Sequence, residues 1–283
     1  MTSKAEAKSE LKSTLMLFKM YPSERKAESL RRMVKLLKIV ESKVKDFVKT
    51  VFKPATSFND FANKFTGKIF DNFGVSKNAN LDVCNEAAEA MLDVTDRFEV
   101  GERLGFFGNA SQSPFRGSKM TRNAGATYNR LRSFLGKHKV DGIVIPVSIT
   151  SDSVKKQKEK SNGMYDAKLP RIKEWIQAHS RISNEVKEKA KELKRWRWSV
   201  STDFKGTAYH EMGHKIHLSA DIDGLDQLIR EAHNQGWSTV LSEYAKTNHK
   251  EFFAETFCAY MLGEHEFIEP RLLAKLKELD KSL

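Results

Sequence analysis

The chain has 283 residues, 40% of them hydrophobic, which is enough for one large domain or a catalytic domain with an appendage and lets a real core form. Its 49 Lys and Arg outweigh 37 Asp and Glu for a formal net charge of +12, a balance that suits acidic partners or simply a solvated surface. Two distant cysteines, Cys84 and Cys258, exclude a disulfide framework and a Cys-rich zinc site and fit a reducing compartment; no apolar run has transmembrane length, and residues 1–20 lack the uninterrupted apolar stretch of a secretory signal.

The first 53 residues carry 14 Lys and Arg against 6 Asp and Glu, a net +8 and two-thirds of the whole excess. Pro22 stops a first helix there and Ser23 is a good N-cap for a second. In that second helix Leu30, Met33, Leu37, Val40, Val44, Phe47 and Val51 recur at spacings of three and four, one apolar stripe among lysines and arginines. The plainer reading is a helix packed on its own domain. The other is contact with nucleic acid or an anionic surface.

Residues 54–77, with four phenylalanines between Phe58 and Phe70, read as helix and turn, and residues 81–98 as a helix rich in Ala and Glu. Residues 101–117 are rich in Gly, Ser and Asn and read as a loop, and residues 121–135 as a basic helix. Residues 142–148 are the clearest strand, β-branched and short, with Pro146 pointing to a sheet edge or a strand end. The charge run 155–160 suits a solvated loop, residues 172–194 one long charged helix, and residues 197–202 alternate like a second strand. A further helix starts near Thr207. The division that follows is a basic helical region over residues 1–75 and a second domain over residues 76–283.

His210-Glu211-Met212-Gly213-His214 is an HExxH pattern. Residues i and i+4 lie one above the other on a helix, so two imidazoles can converge on one ion, and the Glu beside the first His can reach a metal-bound water. A catalytic zinc site needs a third protein ligand and an open fourth position. The longer pattern HExxHxxGxxH is absent, because position 217 is His217 and position 220 is Ala220. A carboxylate from a later helix remains, and Glu251 and Glu255 stand at i and i+4 on one otherwise apolar helix with Phe252, Phe253 and Phe257. Two carboxylates on such a helix are costly to bury unless a metal or histidine partners them. Spacing alone does not separate Glu251 from Glu255.

His210-Glu-Met-Gly-His214, followed by Ser242-Glu-Tyr244-Ala-Lys-Thr-Asn248-His-Lys-Glu251-Phe-Phe-Ala-Glu255, resembles the catalytic domain of the anthrax lethal factor-like peptidases, gluzincins whose third ligand is a Glu. The match spans roughly the last 80 residues. The resemblance implies an α+β zincin-like fold: a small sheet, an active-site helix below its edge strand, and a third-ligand helix toward the C-terminus. It implies a zinc metalloendopeptidase with Zn2+ on His210, His214 and Glu251, Glu211 as general base, Tyr244 supporting the oxyanion, and Glu255 orienting a ligating His. A peptide substrate would lie extended along the strand at 197–202. Similar domains occur in phage-encoded proteins, which implies a location in the host cytoplasm or the virion. The rival reading is a structural or DNA-associated virion protein whose zincin-like domain is incidental or inactive.

The remaining signals have plain readings. His217 reads as a surface residue or a neighbour of the site, His249 and His265 as bystanders, and Cys258 as a core thiol. Trp196 and Trp198, interleaved with Lys194, Arg195 and Arg197, read first as a two-faced strand and second as a base-stacking surface.

Overall fold

A computed structural model describes residues 52–109, 112, 126–132, 139–219 and 222–282. The two helices expected before residue 52, the second of them amphipathic, lie outside this set. Ser57 accepts a hydrogen bond from the Asp60 amide and opens helix α1, Phe58–Phe65. Its Phe61 packs against Phe65, Phe70, Phe73 and Phe107 with ring centroids 4.7–6.0 Å apart. Each such pair adds about 0.5–1.5 kcal/mol beyond the area it buries. This aromatic cluster joins α1 to strands β1, Phe70–Gly74, and β2, Leu104–Asn109, which run parallel. Between them lies helix α2, Leu81–Arg97, capped by Asn80, with Ala87, Ala88, Ala90, Met91 and Val94 on its buried side.

Strand β4, Lys139–Ile145, lies parallel to β2, and β3, Thr127–Arg132, pairs antiparallel with the other side of β4. The four-stranded order is therefore β1-β2-β4-β3. Gly108 has φ 150°, and a Cβ on it would lie 1.9 Å from the Gly74 carbonyl oxygen, so the ends of β1 and β2 meet only because the position is glycine. Helices α3, Ser151–Asp166, α4, Leu169–Ala178, and α5, Asn184–Lys191, follow. An irregular stretch then leads into helix α6, Phe204–Ser219. Helix α7, Leu225–Asn234, the short α8, Ser238–Leu241, a single 3-10 turn, Tyr244–Lys246, helix α9, His249–Met261, and helix α10, Pro270–Leu279, complete the chain.

The architecture is α+β with a small sheet, as expected, and no helix among the described residues is long and apolar enough to cross a membrane. Several local expectations need correction. Residues 104–109 form β2 and not a loop, because a strand buried between two parallel neighbours shows an apolar run broken by glycine rather than alternation. Residues 127–132 form β3 and not a helix, since pairing with β4 overrides local propensity. The charge run 155–160 is helical within α3, started by a capping box between Thr150 and Ser153, although most of its charges do face solvent. Residues 172–194 divide into α4 and α5 where Ser183 caps a new start. Residues 197–202 form no strand, and β3 is the outer strand that contacts α6. Residues 54–75, assigned from sequence to the N-terminal region, contribute α1 and β1 to a compact unit that runs from Pro54 to Leu283.

Candidate metal centre

Helix α6 begins where the Asp203 carboxylate accepts the Gly206 amide at 2.7 Å. It buries Ala208, Met212 and Ile216 and is fastened to α2 by the Tyr209 hydroxyl, which donates to Asp93 at 2.7 Å. On its sheet side the buried Lys215 ammonium lies 2.7 Å from Asp141 of β4, which also accepts the Gly105 amide. Helix α9 begins at Asn248, whose side chain accepts the Lys250 and Glu251 amides. The two helices approach closely at Gly213, where a Cβ would lie 3.0 Å from both Ala254 Cα and Phe257 Cβ. That approach brings the α9 carboxylates to the α6 imidazoles.

His210, His214 and Glu251 come together with their ligand atoms all within 4.8 Å of one another. One Glu251 oxygen, Oε2, lies 3.0 Å from His210 Nε2 and 3.2 Å from His214 Nε2. Ligands around a tetrahedral zinc with bonds of 2.0–2.1 Å stand about 3.3 Å apart. The donor set, and the two spacings to Glu251 Oε2, therefore fit a zinc ion.

Glu255 does different work. It is fully buried, its Oε1 faces His210 Nδ1 at 2.8 Å and accepts the Ser199 hydroxyl at 3.0 Å, and its Oε2 accepts the Val200 amide and the Ser242 hydroxyl at 2.6 and 2.8 Å. A carboxylate so surrounded holds the proton on Nδ1 and leaves Nε2 to face Glu251. Burial opposes ionisation of Glu255, but the bond and charge of His210, the charge of Lys158 and the Val200 amide together outweigh it and hold the carboxyl at about 2. Glu251 likewise resists burial through His210 and His214 and lies well below the usual carboxylate range. Burial would strip a proton from His210, yet its bonds to Glu251 and Glu255 raise it to about 10.

Tyr244 sits on the 3-10 turn with its ring stacked on His210 at 5.5 Å. Burial, and then the charges of Glu251, Glu211 and Glu255, push its phenol well above the ordinary value. Glu211 is buried, and its charge acts on both His210 and Tyr244. All six residues singled out from sequence are thus gathered at one place. His217 lies outside the ligand set, with its Nε2 2.9 Å from Asp226. His249 also lies outside it, and His265 bonds the Tyr260 carbonyl. The Cys258 thiol is buried and donates to the Gly206 carbonyl. Trp196 is buried too, which removes it from any base-stacking surface. Sequence reasoning missed Ser199, Ser242 and Lys215. Only Lys215 left a trace, as a charge between the apolar positions Met212 and Ile216. Comparison with known protein families, curated proteins and solved structures returns no match.

Proposed function

We propose that the protein is a zinc-dependent peptidase of the zincin type, with zinc held by His210, His214 and Glu251. The observation that carries this reading is the shared Glu251 oxygen at ligand spacing from two imidazoles, one of which is fixed from behind by Glu255. A zinc ion held there would supply Lewis acidity to water and to the scissile carbonyl. Glu211 takes a proton from the attacking water and delivers it to the leaving amine. Tyr244, a phenol and therefore protonated near neutral pH, donates its hydroxyl to the carbonyl oxygen as negative charge develops. An extended peptide would add along β3, the outer strand beside α6.

Glu211→Gln is nearly isosteric and removes no ligand, so it keeps zinc and fold while hydrolysis falls about 10²–10⁴-fold. Tyr244→Phe also keeps zinc and lowers turnover about 10²–10³-fold. A diverse peptide library first finds a cleavable sequence, and elemental analysis gives the zinc content. Wild-type protein that takes up no zinc, or that carries zinc and cleaves nothing in the library, sinks the peptidase reading.

A further inference from the structure

Tyr244 lies on a single 3-10 turn between two helices, and a phenol on so short an element holds one orientation only if its neighbours impose it. Two rings do so. His210 lies 5.5 Å away at 26° to the Tyr244 ring, and Trp198 lies 5.6 Å away at 31°. The backbone repeats the attachment: the Trp198 carbonyl accepts the Tyr244 amide at 2.8 Å, and the Arg197 carbonyl accepts that of Glu243 at 3.0 Å. Trp198 itself belongs to neither helix nor strand, so its own position also depends on outside partners.

Those partners come from one face of α3. The Asn162 side-chain oxygen accepts the amides of Trp198 and Ser199 at 2.9 and 3.3 Å. The Asp166 carboxylate accepts the Trp196 amide at 2.8 Å. The Tyr165 ring packs on the Trp198 ring with centroids 5.3 Å apart. One turn back, the Lys158 ammonium reaches the Ser199 hydroxyl at 3.4 Å, the same hydroxyl that donates to Glu255. Positions 158, 162, 165 and 166 recur at spacings of three and four and so share a side of the helix. Lys155, Lys156 and Lys160 are exposed.

We infer that α3 is the brace of the catalytic site, with Asn162 and Tyr165 as positioning residues that act through Trp198 on Tyr244. The inference rests on the role given to Tyr244 in the proposed function. It assigns a task to a helix that the sequence marks only as a run of charges. Displacing a group that must meet developing charge costs far more turnover than substrate binding, since the substrate's other contacts are untouched.

The test is a double-mutant cycle on the full chain, using a peptide found by library screening. Asn162→Ala and Tyr165→Ala are expected to lower kcat about 10–100-fold with KM nearly unchanged, and zinc affinity, measured by chelator competition, stays within about threefold, since no ligand or ligand-bound carboxylate is touched. Combined with Tyr244→Phe, neither change should lower kcat further, because both act through the hydroxyl already removed. Asn162→Asp keeps the accepting oxygen and should retain activity, and Lys156→Ala on the same helix should behave as wild type. A merely structural role would lower zinc content and the unfolding midpoint together and would multiply with Tyr244→Phe. Losses that multiply, or single variants with full kcat, overturn the brace while leaving the peptidase reading standing. Full activity in Tyr244→Phe alone overturns both the role of Tyr244 and the inference built on it.

Discussion

Glu251 and Glu255 are one helical turn apart on α9, identical in chemistry, and set to different tasks by where their oxygens end. Glu251 reaches the Nε2 atoms of both histidines, while the one imidazole nitrogen that Glu255 faces is Nδ1 of His210. The consequence for substitution follows. Glu251→Ala removes a proposed ligand and should abolish zinc binding. Glu255→Ala leaves all three ligands but frees the His210 ring, and should weaken zinc affinity roughly 10–100-fold. It should also lower stability in zinc-free protein, because the Ser199 and Ser242 hydroxyls and the Val200 amide lose a buried acceptor. Chelator competition and thermal unfolding on the two variants check this, and tight zinc binding by Glu251→Ala would reverse the assignment. The sequence made His210, Glu211 and His214 legible because a helix converts a spacing of four into a shared face. It could not separate the two glutamates, since both obey that rule and only the partner atoms differ. Ser199 was illegible for a related reason: its hydroxyl meets Glu255 across 56 positions of chain, and no local pattern marks a lone serine in an irregular stretch.

At the scale of elements, legibility followed the range of the forces involved. Helix α2 was legible in an Ala- and Glu-rich run, α9 in the apolar residues around Glu251 and Glu255, and α6 in the HExxH spacing itself. All three stand within a few residues of expectation. Strands β2 and β3 exist through pairing with β4, and the stretch 197–202 through the side chains of α3 and α9, so local composition misread them. The closure between α2, α9 and the end of α10 was equally invisible. Asp280, just past α10, lies 2.6 Å from the Arg97 guanidinium at the end of α2 and accepts the Tyr260 hydroxyl of α9 at 2.9 Å. Burial opposes ionisation of Asp280, but the bonds from Arg97, from the Ser282 hydroxyl and amide and from Tyr260 together outweigh it and hold its carboxyl below the usual 3.8. A carboxyl depressed in the folded state contributes stability that is fully present above its unfolded value and is lost as pH falls through the folded one. Asp280→Asn should therefore lower stability at pH 7 by about 1–3 kcal/mol, and the gap to wild type should close as pH falls below about 4. Urea unfolding of both proteins across pH 3–7 measures the gap. A constant difference over that range would show that Asp280 contributes through packing alone.

For the molecule as a whole, the unit from Pro54 to Leu283 holds every residue of the proposed centre, while the first 53 residues hold a net charge of +8. The two parts should then separate by experiment, and the place of the cut matters. A chain starting at Pro54 keeps α1, β1 and the cluster of Phe61, Phe65, Phe70, Phe73 and Phe107, and should fold, bind zinc and cleave the library peptide as the full chain does. A chain starting at residue 76 loses β1 from the edge of the sheet and strips the cover from Phe107, which is fully buried. Burying a large aromatic side chain contributes several kcal/mol, so this shorter chain should unfold at much lower denaturant or fail to fold. The charge makes the complementary prediction. If the N-terminal region meets phosphates, full-length protein binds DNA or anionic vesicles at low salt, and its affinity falls steeply as salt rises, because each contact releases counterions. The chain starting at Pro54 should lose that binding and nothing else. Binding that persists without residues 1–53 would move the acidic partner onto the unit from Pro54 to Leu283, and no binding by the full chain would leave the +8 as a solubilising charge.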